Sequence, residues 1–128
     1  MRLLLDTHCF LWLNGQPEKI GALALDACQN REHVLYLSLV SLWEIQIKQQ
    51  LGKLDLDVPW RDMLNVQQAE NGLQLLPISL THIEQLAQLL MHHRDPFDRL
   101  LIAQAQSEGM TFVSADSAMA PYAVEVIW

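Results

Sequence analysis

The sequence has few of the residues that interrupt regular structure or cross-link a chain. Among 128 residues there are 5 glycines, 5 prolines and 2 cysteines. Together with a hydrophobic fraction of 51%, this scarcity argues against a disordered chain and against a disulfide-stapled scaffold. The cysteines, Cys9 and Cys28, lie in apolar segments with helical spacing, and we expect them to be buried free thiols. The length predicts one domain over residues 1–128.

Long hydrophobic runs are also missing. No apolar stretch reaches the roughly 18 residues that a membrane-spanning helix needs. The segment MRLLLDTHCFLWL begins as a secretory signal does, but Asp6 and His8 interrupt its apolar part and no small-residue cleavage site follows. We therefore expect a cytoplasmic protein without a membrane anchor.

Basic residues are scarce relative to acidic ones. The chain carries 8 Lys and Arg against 15 Asp and Glu, which gives a formal net charge of −7. Taken alone, this balance disfavours a nucleic-acid-binding protein, since phosphate groups bind best to basic surfaces. A nucleic-acid function would require local neutralisation of the acids, for example by a metal ion.

Apolar and β-forming segments alternate with segments of helical periodicity. Strands are predicted at residues 2–5, 34–38, 73–79, 111–116 and 124–128. Helices are predicted at residues 7–13, 21–29, 41–51, about 59–70, 81–91 and 94–109. Pro77 indicates that the third strand lies at an edge of the sheet or near a strand end. The alternation predicts an α/β fold with a mainly parallel sheet and helices on both faces.

Acidic residues lie at the strand ends and helix starts of this predicted fold. Asp6 and Asp116 lie at strand ends, and Glu44 and Asp98 lie in the first turns of helices. Because the carboxyl ends of parallel strands meet at one edge of a sheet, the four carboxylates can share one pocket. Carboxylates gathered without ligating cysteines or a suitably spaced histidine pair favour Mg²⁺ or Mn²⁺ over zinc.

Two segments fit the capping-box template, in which a hydroxyl and a glutamate cap the start of one helix. They are Ser41–Glu44 and Thr81–Glu84. In this interpretation Glu44 is a structural residue that reaches back to the first turn of its own helix. A metal ligand is the functional alternative for Glu44, whereas we assign Glu84 no function beyond capping.

The remaining acids of the set have structural interpretations as well. Asp95 followed by Pro96 is typical of an N-cap, which leaves Asp98 in the first helical turn at the positive end of the helix dipole. Asp6 and Asp116 can be turn or cap residues after strands. Both interpretations stay open from the residues alone, and the functional one gains weight because the acids occur together.

Four segments, LLLDTHCFLW, SLVSLWEI, RDPFDRLLIAQA and TFVSAD, resemble in order and spacing the PIN domain, and more closely the VapC-type toxins of bacterial toxin–antitoxin pairs. The resemblance covers residues 2–128. It implies a three-layer α/β/α fold with a mainly parallel sheet of about five strands. It also implies a Mg²⁺-dependent endoribonuclease, with Mn²⁺ as an alternative ion, that hydrolyses RNA phosphodiester bonds with metal-activated water.

The resemblance assigns roles to individual residues of this chain. It implies that the catalytic and metal-binding residues are the same four acids, namely Asp6, Glu44, Asp98 and Asp116. Asp98 is chosen over Asp95 because Ile102–Ala105 follows it at the family's distance. The hydroxyl residues implied to support the site are Thr7, Ser41 and Ser114.

Basic and aromatic side chains flank the acidic motifs. The candidate contacts to RNA phosphates are Lys48, Arg94 and Arg99. Solvated surface charges are the plain alternative for all three. We expect Trp12 and Trp43 to pack in the core, with base stacking or partner contact as the alternative. For His8 we expect solvent exposure or helix capping rather than metal ligation.

The resemblance also implies two protein partners, a second copy in a homodimer and a cognate antitoxin whose tail covers the active-site groove. A catalytically silent PIN-like protein that acts through partner binding is the alternative, and the complete set of four acids speaks against it. A receiver domain is disfavoured because it needs a lysine after a late strand, and the lysines are Lys19, Lys48 and Lys53. A nucleotide-binding domain needs a glycine-rich turn where this chain has DTHCF.

Overall fold

The fold is built around one parallel sheet. The computed structural model describes residues 1–89, 95–116, 122 and 124–128. In these ranges the sheet contains the strands β1 (Arg2–Leu5), β2 (Val34–Ser38), β3 (Gln74–Leu76), β4 (Thr111–Val113) and β5 (Val126–Ile127). The strand order is β3-β2-β1-β4-β5, and every neighbouring pair is parallel. The predicted α/β fold with a parallel sheet of about five strands is confirmed.

Helices connect the strands. Within the described ranges they are α1 (Thr7–Leu13), α2 (Ala22–Gln29), α3 (Leu39–Gln50), α4 (Trp60–Asn71), α5 (Leu80–Leu86) and α6 (Pro96–Glu108), with a short 3₁₀ turn at Pro17–Lys19. None of these helices combines the length and the apolar character that crossing a membrane requires. Parallel neighbours need crossover connections, and these connections place helices on both faces of the sheet.

The core is divided by the sheet into two layers. Leu3 and Leu5 of β1 point to one face and pack with α1 to α4, whereas Leu4 points to the other face and packs with α5 and α6. This alternation follows the two-residue period of a strand and explains why β1 is apolar on both faces. Cys9 and Cys28 lie in the first layer as buried free thiols, as the sequence predicts.

Several predicted boundaries shift. Strands β3 to β5 are shorter than predicted, and Pro77 directly follows β3, which is an edge strand as the proline indicates. Helix α5 ends at Leu86 rather than at residue 91. The amides of Ala87 and Leu89 bond to carbonyls three residues back, so the last turn tightens and the α-helix stops although the apolar period continues. Predicted helical residues 90 and 91 lie outside the described ranges.

Helix α3 begins earlier than the sequence suggests. Ser38, the last residue of β2, is the N-cap, and its hydroxyl accepts a hydrogen bond from Val40 N at 3.0 Å. Ser41 and Glu44 consequently lie inside the helix. The predicted capping box at Ser41–Glu44 is therefore wrong, because an earlier hydroxyl already satisfies the first turn.

Helix α5 has a capping box that starts two residues before the predicted one. Ser79 Oγ accepts a hydrogen bond from His82 N at 3.3 Å, and His82 Nδ1 accepts one from Ser79 N at 3.0 Å. The predicted box at Thr81–Glu84 is wrong, because the imidazole takes the part that the template gives to glutamate. His82 Nε2 lies 2.8 Å from Glu108 Oε1, so the buried ring also joins α5 to α6.

The predicted start and stop of α6 are confirmed. Asp95 is the N-cap, and its Oδ1 accepts hydrogen bonds from Phe97 N at 2.8 Å and Asp98 N at 3.2 Å. Pro96 occupies the first helical position, where no amide hydrogen is needed. Gly109 ends the helix with a φ of +64°, a left-handed conformation that glycine adopts without steric strain.

The cap geometry predicts the effect of two substitutions at one position. Asp95→Ser keeps a side-chain oxygen that can accept from the first-turn amides, so we expect nearly unchanged stability. Asp95→Ala removes that oxygen and should lower the free energy of unfolding by about 1 kcal/mol. Urea unfolding followed by circular dichroism measures both. Equal destabilisation by serine and alanine would contradict the capping role.

Candidate active site

A cavity of about 260 Å³ opens where β1 and β4 end, beside the middle of α3 and the start of α6. All four acids singled out in the sequence line it, namely Asp6, Glu44, Asp98 and Asp116. They come from four separate segments of the chain. The sheet brings them together because β1 and β4 are parallel neighbours and the chain leaves both strands at the same edge.

Asp6 is fixed by backbone and side-chain hydrogen bonds. Its amide donates to Val113 O at 2.9 Å, which continues the pairing of β1 with β4 beyond the strand. Its Oδ1 accepts from Thr7 N at 2.7 Å, and its Oδ2 accepts from Ser114 Oγ at 2.8 Å. The residue is also the N-cap of α1. The Asp6 carboxylate is therefore held in one orientation at the mouth of the cavity.

The environment of Asp6 disfavours its ionised form. Burial raises the pKa of the carboxyl group above its ordinary value, and the negative charge of Glu44 acts in the same direction. The hydrogen bonds from Ser114 and Thr7 N and the charge of His8 oppose the rise without cancelling it. The carboxylate is thus costly to keep charged in the absence of a further cation.

Glu44 is buried in α3 and is held by a chain of hydroxyl groups. Thr7 Oγ1 lies 2.8 Å from Glu44 Oε1 and 2.9 Å from Ser41 Oγ. A threonine hydroxyl carries one proton, and an ionised carboxylate can only accept. Thr7 therefore donates to Glu44, and Ser41 donates to Thr7. Of the three hydroxyl residues expected beside the site, Thr7 contacts Glu44 directly and Ser41 contacts it through Thr7.

Lys48 lies one helical turn after Glu44, and its ammonium group forms a salt bridge with Glu44 Oε2. This hydrogen bond raises the pKa of Lys48, and the charges of Asp95 and Asp98 add to the effect. The lysine lines the acidic cavity. Its side chain thus neutralises part of the acid cluster, and the contact with RNA phosphate expected for Lys48 stays a prediction.

Ser114 connects the two acids that follow β1 and β4. Its hydroxyl donates to Asp6 Oδ2 and accepts a hydrogen bond from Asp116 N at 3.1 Å. The residue is buried and follows β4 directly. The Ser114 hydroxyl therefore orients the carboxylate of Asp6 and also holds the backbone of Asp116 in place.

Asp95 is a cavity residue that the sequence analysis did not assign to the site. It lines the cavity together with Asp98, which lies in the first turn of the same helix. The N-cap role by itself explains an aspartate directly before Pro96, so the sequence pattern does not require a further function for Asp95. The signal that could have revealed it is its position three residues before Asp98, where an N-cap and a first-turn acid face the same helix entrance.

The donor chemistry of the cavity fits a hard divalent cation. Among the described residues, no three His, Cys, Asp or Glu side chains stand in a ready-made ligand arrangement. Mg²⁺ retains several waters and commonly takes only one or two carboxylates from a protein, so such an arrangement is not required. The oxygen-rich lining fits this ion, and so does the buried Asp6, whose ionised form is disfavoured. An ion that binds Glu44 must first break the salt bridge between Glu44 and Lys48.

Of the other predicted RNA contacts, Arg99 lies in α6 but is not among the residues that line the cavity. Arg94 lies outside the described residues. Trp43 is 55% exposed and packs edge-on against Phe97 at a ring-centroid distance of 5.1 Å, away from the cavity lining. The core packing expected for Trp43 is thus wrong, because its ring faces outward from α3.

Solved structures with the same fold have low sequence identity to this chain. VapBC2 from Rickettsia felis, bound to a DNA fragment from its promoter, has a TM-score of 0.73 at 14% identity over 99% of this chain and 98% of that one. DNA-bound VapBC from Salmonella typhimurium has a TM-score of 0.67 at 17% identity, with 99% and 97% covered. VapBC-5 from Mycobacterium tuberculosis has 0.60 at 19%, with 98% and 95% covered.

At these identities the structural likeness establishes the fold alone. Among curated proteins, no match to this chain is found. The sequence of residues 3–125, however, matches the PIN domain family model, and this match spans nearly the whole chain. The family that the four motifs indicated is confirmed, and the chain belongs to the PIN domain family.

Proposed function

We propose that this protein is a Mg²⁺-dependent endoribonuclease, the VapC-type toxin of a toxin–antitoxin pair. The observation that carries the proposal is the cavity into which four separate segments deliver Asp6, Glu44, Asp98 and Asp116. Membership of the PIN domain family supports a nuclease. A cluster of carboxylates that includes the buried Asp6, whose pKa is raised by burial, is suited to a divalent metal, which is a common partner of phosphate groups.

The principal metal would be held by Asp6, Glu44 and Asp98, with one or two of these carboxylates as direct ligands and the rest bonded to waters that the ion retains. Asp116 would complete the site through water or a second ion. The bound metal would activate a water molecule for attack on the phosphodiester and neutralise charge on the phosphate. Mn²⁺ has the same preference for oxygen ligands and can replace Mg²⁺.

The supporting side chains have defined tasks in this proposal. Thr7 and Ser41 orient Glu44, and Ser114 orients Asp6, so that the oxygens face the cavity before a metal arrives. Orientation by outer hydrogen bonds is typical of metal ligands. Lys48 balances the charge of Glu44 through its salt bridge and, once displaced by the metal, would be available to contact a phosphate.

The net charge of −7 is compatible with an RNA substrate under this proposal. The acids that line the cavity would be neutralised by metal and by Lys48, so the local charge at the phosphate differs from the overall charge. A mildly acidic exterior also limits nonspecific binding to nucleic acid, which depends on basic surface.

The partners follow from the comparison with toxin–antitoxin complexes. The structural relatives described above are VapBC assemblies, two of them bound to DNA. By analogy we propose a cognate antitoxin, a homodimer and a cytoplasmic location for this protein. The alternative is a catalytically silent PIN-like protein that acts only through a partner.

The first test is RNA cleavage by purified protein that is free of any partner. Cleavage of a mixed cellular RNA pool should require Mg²⁺ or Mn²⁺ and stop in EDTA. Asp98→Asn should reduce the rate by more than about 100-fold, the upper range for residues that merely orient a ligand. Asp62→Asn is the matched control, because Asp62 is exposed and occupies the same first-turn position in α4.

Several outcomes would contradict the nuclease proposal. Cleavage that persists in EDTA would contradict the proposed metal dependence. An equal loss of cleavage rate in Asp62→Asn and Asp98→Asn would indicate that the substitution acts through the start of the helix. Absence of cleavage with either ion, in protein whose circular dichroism shows a folded state, would favour the silent alternative.

Asp6→Asn should raise the melting temperature in EDTA at neutral pH. The folded-state pKa lies above the unfolded value, so ionisation of Asp6 opposes folding at pH values above both. The gain should shrink as the pH is lowered through the folded pKa towards the ordinary value of 3.8, because wild-type Asp6 then becomes protonated. Asp26→Asn, at an exposed position, is the control. A lower melting temperature at neutral pH would show that hydrogen bonds to the carboxylate outweigh its burial.

Lys48→Met should lower the stability of the metal-free protein by roughly 1 kcal/mol, because buried Glu44 loses its cationic partner while Lys48 itself is partly solvated. Addition of Mg²⁺ should narrow the difference, since the metal supplies the missing positive charge. Lys53→Met, which removes an exposed lysine, is the control. Thermal melts with and without Mg²⁺ measure the effect, and a difference that Mg²⁺ leaves unchanged would argue against metal binding at Glu44.

A further inference from the structure

The cavity has a second wall that the proposed hydrolysis does not use. Besides the acids it is lined by three aromatic side chains, His8, Trp12 and Trp128, which we call the aromatic wall. His8 and Trp12 belong to α1, and their spacing of four residues places both on one side of that helix. Trp128 follows β5. An apolar, aromatic surface beside metal-binding acids calls for an explanation in terms of substrate.

The rings of the aromatic wall pack on one another. The His8 and Trp12 centroids lie 5.7 Å apart at an interplanar angle of 42°, and the Trp12 and Trp128 centroids lie 5.7 Å apart at 61°. A Cβ at Gly21 would lie only 2.5 Å from the carbonyl carbon of Trp128, so glycine is needed there for the close approach. Trp128 of the aromatic wall therefore packs closely against the start of α2.

Core packing accounts for only part of this arrangement. Trp12 and Trp128 are half-buried against the first core layer, but His8 is exposed and still faces the cavity. A second cavity of about 370 Å³ begins at His8 and Trp12 and extends to residues 54–58. His8 and Trp12 thus line both the cavity that contains the acids and the neighbouring cavity.

Positive charge also accompanies the wall. Lys19 Nζ lies 6.0 Å from the centroid of the Trp12 ring. Single-stranded nucleic acids bind where aromatic rings that stack with bases occur next to cations that contact the backbone. In a duplex the bases are stacked and paired, so only an unpaired base can reach such a ring.

We propose that His8 and Trp12 form a base-binding subsite that holds one unpaired nucleobase next to the scissile phosphate. The base beside the cut then contributes to the choice of cleavage position. This inference rests on the proposed nuclease function and adds two specificity-determining residues to it.

The test uses RNA with a short randomised segment, supplied as a single strand and annealed to its complement. Wild-type protein should cleave the single strand preferentially, and sequencing of the fragments should give the position relative to the cut at which a base preference occurs. In a substrate built on the preferred sequence, an abasic residue at that position should lower kcat/KM by about 5- to 150-fold, the range expected from loss of one stacked base.

The same substrates are then given to His8→Ala and Trp12→Leu. Both variants should cleave the intact substrate more slowly than wild type. The abasic residue should lower the kcat/KM of these variants only slightly further. Trp12→Phe, which keeps an aromatic face, should recover part of the discrimination. Trp60→Leu is the matched control, since Trp60 is also half-buried against the first core layer but does not line the cavity. Melting temperatures identify any variant that has lost its fold, and exposed His8→Ala remains informative if Trp12→Leu unfolds.

The two proposals fail in different ways. If wild type cleaves RNA and discriminates against the abasic substrate, but His8→Ala and Trp12→Leu discriminate equally well, the subsite is wrong and the nuclease stands. Equal cleavage of duplex and single strand by wild type would also overturn the subsite. If folded wild-type protein cleaves neither RNA with Mg²⁺ or Mn²⁺, the nuclease proposal fails and the subsite fails with it.

Discussion

The parallel pairing of β1 with β4 is the constraint on which the cavity depends. Leu5 pairs with Val113, and the hydrogen bond from Asp6 N to Val113 O carries the pairing one residue further. Asp6 and Ser114 consequently leave the sheet side by side and bond to each other. Thr7 then starts α1 in the position from which its hydroxyl reaches α3. A shift of one residue in this pairing would turn β1 over and separate all of these groups.

Charge is distributed unevenly in this acidic chain. The cavity collects acids from several segments, yet Asp6 and Glu44 are met by hydroxyl groups, a backbone amide and one lysine. These contacts offset part of the cost of keeping Asp6 charged, but its pKa stays raised, mainly because the carboxyl group is buried and to a lesser extent because Glu44 is near. The fold therefore tolerates the cluster before any ligand binds, and a cation would lower its energy further.

The sequence predicted the layers, the parallel sheet and the convergence of the four acids, because these depend on periodicity and on a general property of parallel sheets. It misplaced the caps of α3 and α5, because several hydroxyl residues lie near each start and only the three-dimensional path of the chain selects Ser38 and Ser79. Lys48 could have been paired with Glu44 from their spacing of four residues. The place of Trp128 in the cavity lining could not be foreseen, since it depends on the position of the edge strand β5 beside β4.

The salt bridge between Lys48 and Glu44 has a consequence for ion selectivity. A cation that binds Glu44 must displace an ammonium group that already carries one positive charge. Exchange for Na⁺ or K⁺ leaves the charge at Glu44 unchanged, and the incoming ion gives up hydration for no electrostatic gain. Exchange for a divalent ion adds one positive charge among the remaining carboxylates. If a metal binds at Glu44 as proposed, the lysine would act as a tethered competitor that monovalent ions displace poorly and that divalent ions displace well.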